Sequence, residues 1–348
     1  MLVDLDTGDV LDTQLYCDPQ PTAAVAFVES IAPDGHVTRA ATSALCKLAS
    51  WHVSGLLRAG EDEGRRLVLM GQCDWLSWLL HGEHASDWNN TLKLGFDPHR
   101  LEFPEWLLGN KDVGRFIPRD VYRPGAAVAR VTAGARDRYG LPAECVVHAG
   151  TTDSIAAFVA AGVKEPGEAV SSLGSTLAVK IVSEAPVEDE RRGVYSHRLG
   201  EAWLVGGASN VGGAVLREFF TDEELRELTP RVDPSVDTGL GYYPLPSQAR
   251  GERFPVSDPE MKARLEPRPE DDAVFLQGIF EGIADVEARA YRLVAEMGAS
   301  PVTRVVSCGG GASNPKWTEI RERRLGVPVT SAENGEASFG AALLGMRG

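Results

Sequence analysis

The sequence predicts an α/β protein with room for two domains, and three observations lead there. Its 348 residues exceed what one hydrophobic core usually serves and suit two. Short apolar runs end at glycines and give way to helix-patterned stretches, first from Val146 and again from Thr303. The clearest helix lies between them: Phe275, Ile279, Ile283, Val286, Ala290, Leu293 and Met297 share one face, with Gly298 where a C-terminal cap belongs.

Taken in order, Leu2-Val3-Asp4 reads as a strand running into a Thr7-Gly8-Asp9 turn. From Ser43 to Leu57 apolar residues recur at helical spacing, and Cys73 to Leu80 repeats the pattern around Trp75 and Trp78. Gly95 to Pro124 is polar and proline-rich, and a helix is expected from Arg130 to Arg138. Val146 to Gly150 reads as a strand and Ser154 to Ala161 as a helix. Gly167 to Val182 is expected to be a strand pair turning around Gly174, followed by a strand ending in Gly206-Gly207. Pro230 to Pro269, rich in proline, charge and glycine, is expected to wrap the surface as a long loop. Beyond the long helix come a β-branched strand from Thr303 to Cys308, a helix from Asn314, a strand at Val327 to Thr330 and a helix from Ala337 to Leu344.

Composition excludes several classes. The chain is 43% hydrophobic and 24% charged, and no apolar run approaches the ~20 residues of a bilayer span. Met1 to Asp6 carries two aspartates and no basic residue, unlike a signal or transit peptide. A net charge of −15 argues against nucleic acid as a partner, though not against a small anion held by backbone amides. The five cysteines (Cys17, Cys46, Cys73, Cys145, Cys308) lack zinc or redox spacing and are expected to be reduced, mostly buried thiols of a cytoplasmic protein.

Three clusters carry possible chemistry. Gly150-Thr151-Thr152-Asp153-Ser154 is a strand end turning into a helix. Asp153 there is either a helix cap or a carboxylate able to take the hydroxyl proton in phosphoryl transfer to an alcohol. Ser172-Leu173-Gly174-Ser175-Thr176 is either a plain hairpin turn or a phosphate cradle. Cys308 to Trp317 holds Gly309-Gly310-Gly311 and then Asn314. It is either a strand-to-helix turn with an Asn cap and a core tryptophan, or a pocket in which Asn314 bonds a base or ribose edge and Trp317 stacks on the base. The dinucleotide fingerprint Gly-x-Gly-x-x-Gly, the Walker loop, paired zinc-site histidines and Gly-x-Ser-x-Gly do not occur, so a dehydrogenase reading rests on the glycines alone.

In this order, Asp74-Trp75-Leu76, Asn90-Thr91-Leu92-Lys93-Leu94-Gly95, His148 to Phe158, Ser171 to Thr176, Gly206 to Asn210, Tyr242 to Pro246 and Gly309-Gly310-Gly311-Ala312 resemble the FGGY carbohydrate kinases. The group most similar is the ribulokinase- and xylulokinase-like one of cyanobacteria and plants. The resemblance runs over nearly the whole chain and is densest after Cys145. It implies two ribonuclease-H-like (actin/hexokinase-like) domains around a central cleft, a sugar-side domain over 1–149 and an ATP-binding domain over 150–348. It implies ATP-dependent phosphorylation of a ketopentose, D-ribulose or D-xylulose. Asp153 would be the catalytic base and, with Thr152, would contact the sugar. Ser175, Thr176, Gly310, Gly311, Asn314 and Trp317 would hold ATP, with Mg²⁺ bridging its phosphates.

One departure stands against the family pattern. The family's opening Asp-Phe-Gly-Thr strand-turn, which holds Mg²⁺ and the terminal phosphates, and a following Gly-Thr-Ser-Gly segment have no counterpart here. Asp4 and Asp6 lead into a surface turn and do not replace the missing aspartate. The expectation is therefore an incomplete first domain, truncated at its N-terminus, with an exposed sheet edge prone to association. A plastid location is open if upstream sequence exists. The alternative function is a catalytically impaired nucleotide-binding or regulatory protein of the same fold.

Overall fold

The computed structural model describes residues 1–347, whose contacts form two compact units. One comprises Met1–Ala156 with the chain from Ala341 onward; the other comprises Ala157–Gly340. This division falls seven residues later than the expected 149/150, with the C-terminal residues returning to the first unit.

The first unit opens with β1 (Leu2–Asp4), β2 (Val10–Asp12), α1 (Thr22–Ile31), α2 (Ala44–Val53), α3 (Leu56–Asp62), β3 (Leu67–Leu69) and α4 (Gln72–His81). β1 pairs antiparallel with β2 on one side and β3 on the other, so the expected open edge does not fall on β1. Asp4 is buried, and its carboxylate accepts the Asp6 amide at 3.1 Å, tying the turn that follows. The single helix expected over Ser43–Leu57 is two helices. Ser43 caps α2 by accepting the Cys46 amide at 3.0 Å, and Gly55, at φ +81°, breaks the run before α3. Then come β4 (Ala85–Asp87), α5 (Glu105–Leu108), β5 (Asp120–Tyr122), β6 (Ala127–Arg130), α6 (Ala133–Tyr139), β7 (Val146–His148) and α7 (Asp153–Ala160). β4 pairs parallel with β5, and β6 antiparallel with β7. The polar, proline-rich Gly95–Pro124 stretch supplies much of this unit's core. Phe96, Phe103, Leu107, Val113, Phe116 and Ile117 are buried with Leu2, Leu45, Leu48 and Trp51 in one core. Each such side chain contributes about 1.5–3 kcal/mol of burial.

The second unit is built on β8 (Glu168–Leu173), β9 (Leu177–Ser183), β10 (Tyr195–Leu199) and β11 (Ala202–Ser209). The strand expected to stop at Gly207 runs two residues further. Next follow α8 (Leu216–Phe219), α9 (Asp222–Leu228), α10 (Asp272–Glu296), β12 (Arg304–Cys308), α11 (Pro315–Leu325), β13 (Val329–Ser331) and α12 (Ala337–Arg347). The strands form one six-stranded sheet in the order β10-β11-β9-β8-β12-β13. Its first four are antiparallel, and β8, β12 and β13 are parallel. α10 carries the expected apolar face, with Phe275, Ile279, Ile283, Val286 and Ala290 buried, and Gly298 follows it at φ +111°. The expected surface loop over Pro230–Pro269 is corrected: Tyr242, Tyr243, Leu245 and Phe254 enter the core of this unit. Its irregular path is held by Glu252, a buried carboxylate that accepts from Ser209, Tyr243 and the Asn210 amide at 2.6–2.8 Å. Among the described residues no helix is long and apolar enough to cross a membrane.

All five cysteines are free, but only Cys46 is fully buried; Cys17 is exposed and the other three are half-buried. Burial, with Asp74 nearby, pushes the Cys73 thiol up to about 12, so it stays protonated near neutrality.

Candidate functional site

In the second unit, β8 and β12 lie side by side and parallel, with Ser171 opposite Ser307 and Ser172 opposite Cys308. Each strand runs off into a glycine turn at the same end of the sheet, where open α/β sheets keep their ligand sites. The turn after β8 is Gly174-Ser175-Thr176; the turn after β12 is Gly309 to Ser313. Between them lies a cavity of about 690 Å³ lined by Gly174, Ser175, Gly213, Gly310, Gly311 and Asn314, with α9 supplying Leu225 and Arg226. The glycines have different reasons to be there. Gly309 sits at φ +84°, and a Cβ on it would lie 2.8 Å from the Leu173 carbonyl oxygen. A Cβ on Gly311 would lie 2.5 Å from Trp317 Cζ3, whereas one on Gly310 would meet nothing within 4 Å. Packing thus dictates Gly309 and Gly311, while Gly310 leaves backbone open to the cavity. Ser175 and Thr176 are exposed, and neither hydroxyl nor either amide makes a hydrogen bond among the described residues. A tight turn with unspent N–H and O–H donors is what an anionic ligand requires.

Asn314 caps α11: its side-chain oxygen accepts the Trp317 amide at 3.1 Å, and its amide nitrogen donates to Thr229 at 3.4 Å. Trp317 is 2% exposed. Its ring stacks on Phe280 at 4.9 Å and 13°, and its indole N–H donates to the Phe280 carbonyl at 3.2 Å. The expected free stacking platform is therefore not what the structure presents. Trp317 instead supports Gly311 from below, and the cavity wall is built on it.

A buried ionic network lies beneath the two turns. Arg321 and Glu287 have wholly buried side chains; Nε and Nη2 of Arg321 donate to the two carboxylate oxygens at 2.6 and 2.7 Å. Arg321 Nη1 donates to Ser307 on β12 at 2.7 Å. Ser171 on β8 donates to Glu287 and shares a 2.8 Å bond with the Tyr291 hydroxyl. Burial alone works against charge on Arg321, but the Glu287 carboxylate outweighs it and holds the guanidinium above its ordinary pKa. Both strands that carry a glycine turn are thus pinned to α10 and α11 through one salt bridge. Charged residues on helices read as a solvated face, so no sequence signal marks this pair.

In the first unit, β7 leads through Gly150 and Thr151 to Asp153 at the start of α7. Thr151 is buried, Thr152 half-buried, and Asp153 and Ser154 exposed. One Asp153 oxygen accepts the Ser154 amide at 2.7 Å; the other has no partner among the described residues. The carboxylate is thus both partly engaged at the helix start and open to solvent. Beneath the turn, Asn89 Nδ2 donates to Thr151 Oγ1 at 3.0 Å. Asn89 belongs to a turn organised by Asp87, whose carboxylate accepts the Asn89 and Asn90 amides at 2.9 and 3.1 Å. Burial and then the neighbouring Asp74 push the Asp87 carboxyl up to about 7. Asp74 is also raised, chiefly by burial, despite bonds from Ser86 and the Gly71 amide at 2.9 Å.

The residues named from sequence thus fall in two places. Ser175, Gly310, Gly311, Asn314 and Trp317 line or support one cavity of the second unit, with Thr176 in the adjoining turn; Thr152 and Asp153 share a turn of the first. Among the described residues no group of three or more His, Cys, Asp or Glu side chains is arranged to hold a metal ion.

Residues 169–348 match the family model described as the FGGY family of carbohydrate kinases, C-terminal domain. A xylulose kinase from Staphylococcus epidermidis is 26% identical over 287 residues, covering 78% of this chain and 56% of its own length. A gluconokinase from Bacillus subtilis is 25% identical over 231 residues, covering 60% of this chain and 44% of its own. The chain spans about half the length of the curated relatives it matches. Among solved structures, Plasmodium falciparum glycerol kinase with ADP superposes with a TM-score of 0.80 at 16% identity, over 99% of this chain and 72% of that one. The fold is therefore the two-domain actin/hexokinase-like one.

Proposed function

From the premise that the chain belongs to the FGGY family of carbohydrate kinases, we propose that it transfers the γ-phosphoryl group of ATP to a hydroxyl of a ketopentose, D-ribulose or D-xylulose. The observation that carries this reading is the cavity between the turns after β8 and β12, with the unspent Ser175 and Thr176 donors in the first of those turns. ATP fits it on those grounds. Gly310 lets backbone approach a flat base and ribose, Gly311 lines the wall beside it, Asn314 stands at the rim with its side chain capping α11, and Ser175 and Thr176 offer hydroxyls and amides to the phosphates. Trp317 acts here through packing. Among the described residues no carboxylate cluster is arranged to hold Mg²⁺, so it would enter with the nucleotide and would supply charge neutralisation of the transferring group.

The sugar half falls to residues 1–149 with the Thr152–Asp153 turn, and the nucleotide half to the remainder through residue 348. Asp153 accepts the hydroxyl proton as the sugar oxygen forms its bond to the γ-phosphorus. The bond from γ-phosphorus to the bridging oxygen breaks, leaving ADP, a sugar phosphate and a protonated Asp153. The partners are two small molecules, sugar and ATP.

The test measures sugar-dependent ADP release by the full chain with D-ribulose and D-xylulose, beside Asp153→Asn. General-base loss predicts a fall in kcat of about 10²–10⁴-fold with Mg·ATP binding intact by calorimetry. An Asp153→Asn protein turning over at the wild-type rate ends the assignment.

A further inference from the structure

Asp153 is exposed, so something other than its own burial must fix its place. The turn before it is gripped from two sides. A Cβ on Gly150 would lie 2.7 Å from the Cys73 sulfur, so the strand end rests directly on α4. On the other side Thr151, two residues before Asp153, takes the buried bond from Asn89 across 62 residues of sequence. Asn89 is 4% exposed and is aimed by its own turn: the Asp87 carboxylate holds the Asn89 and Asn90 amides and the Asn90 side chain, and the Thr91 hydroxyl donates to the Asp87 carbonyl at 2.7 Å. Asn89 Oδ1 is buried with no hydrogen-bond partner. A side chain that only filled space would do so at less cost without an unpaired amide oxygen. What the amide adds is one directional bond to Thr151.

We propose that Asn89, aimed by the Asp87 turn, is a positioning residue that holds the Thr151–Asp153 turn through its bond to Thr151. The inference rests on the reading of Asp153 as the base, and it assigns Asn89 no contact with substrate. Its logic is geometric: a shift of about 1 Å in a reacting group costs on the order of 10²-fold in rate.

The experiment compares Asn89→Ala, Thr151→Val and Thr151→Ser in the full chain. Amide hydrogen exchange by mass spectrometry is read on peptides covering 150–156, and kcat and the KM values for ATP and sugar are read in parallel. Thr151→Val keeps the side-chain shape, so it carries the test if Asn89→Ala does not fold. Removal of the bond predicts faster exchange by about tenfold or more in that peptide alone, with peptides of the second unit unchanged. It also predicts a kcat lower by about 10–100-fold at unchanged KM for ATP, with Thr151→Ser restoring both readouts. Unchanged exchange in Thr151→Val, or faster exchange with unchanged kcat, overturns the proposal. A wild-type chain that phosphorylates neither sugar removes the ketopentose reading instead, and the exchange data then decide the bond's role by themselves.

Discussion

Replacing Arg321 by methionine removes the cation of the buried network while keeping an unbranched chain of similar reach. The structure sets the size of the effect. Glu287 would keep the Ser171 hydroxyl but lose two charge-assisted bonds at 2.6 and 2.7 Å in a site with no solvent access. Stranding one partner of such a pair costs about 3–5 kcal/mol, because the remaining carboxylate must stay charged and unpaired or take up a proton. For a unit of this size each kcal/mol moves the midpoint by roughly 2–4 °C, so a fall of about 6–20 °C is expected. Calorimetry reads it, with hydrogen exchange of β8 and β12 peptides identifying which transition belongs to the second unit. The double variant Arg321→Met/Glu287→Leu removes both charges and should recover most of the loss, since two apolar residues in place of a buried pair are often neutral or better. A drop below about 2 °C in the single variant, or a double variant no better than the single, would refute the claim that the pair is mutually dependent.

Two further outcomes follow from the cavity and from the acidic pair. Gly310→Ala meets no atom within 4 Å and should fold normally, so any loss of Mg·ATP affinity it causes reports direct contact with ligand. Gly311→Ala drives a methyl toward Trp317 and Leu173 and should lower both midpoint and affinity; equal affinity in both variants and wild type would place the nucleotide elsewhere. Asp87, raised to about 7 from an unfolded value near ~3.9, binds its proton more tightly when folded. Its contribution to stability is therefore present at low pH and lost as pH rises through about 7. Thermal midpoints across that range should decline less in Asp87→Asn than in wild type, and parallel profiles would show that Asp87 ionises normally.

The helix of Phe275 to Met297 was legible because it is long, strictly periodic and closed by a glycine, so three independent signals agreed. The strand ends near Gly150, Gly174 and Gly309 were legible for a related reason: a glycine that closes a short strand-patterned run marks a turn under most folds. Failures occurred where periodicity says nothing. Gly55 interrupts an apolar pattern that continues through it, so two helices read as one. Tyr242, Tyr243 and Phe254 sit in a segment of prolines and charges, and the buried Glu252 carboxylate that accepts from Ser209 and Tyr243 is marked by no local pattern. Trp317 was ambiguous because stacking on a ligand and stacking on Phe280 demand the same residue. Asn89 with Thr151, and Glu287 with Arg321, depend on contacts across 62 and 34 residues, beyond any reading of spacing.

The parallel pairing of β8 with β12 also bears on which changes the chain tolerates. Side chains alternate faces along a strand, so Ser171 and Ser307 reach the salt bridge only while their register holds. A substitution at Ser307 would remove one bond of the network, and one at Ser171 two. Deleting a single residue from either strand would turn its serine to the opposite face and, in the same step, draw its glycine turn back by about 3.3 Å. Amino-acid exchanges in these strands should therefore be graded in effect, whereas insertions and deletions should be all-or-none, making strand length rather than composition the quantity under constraint.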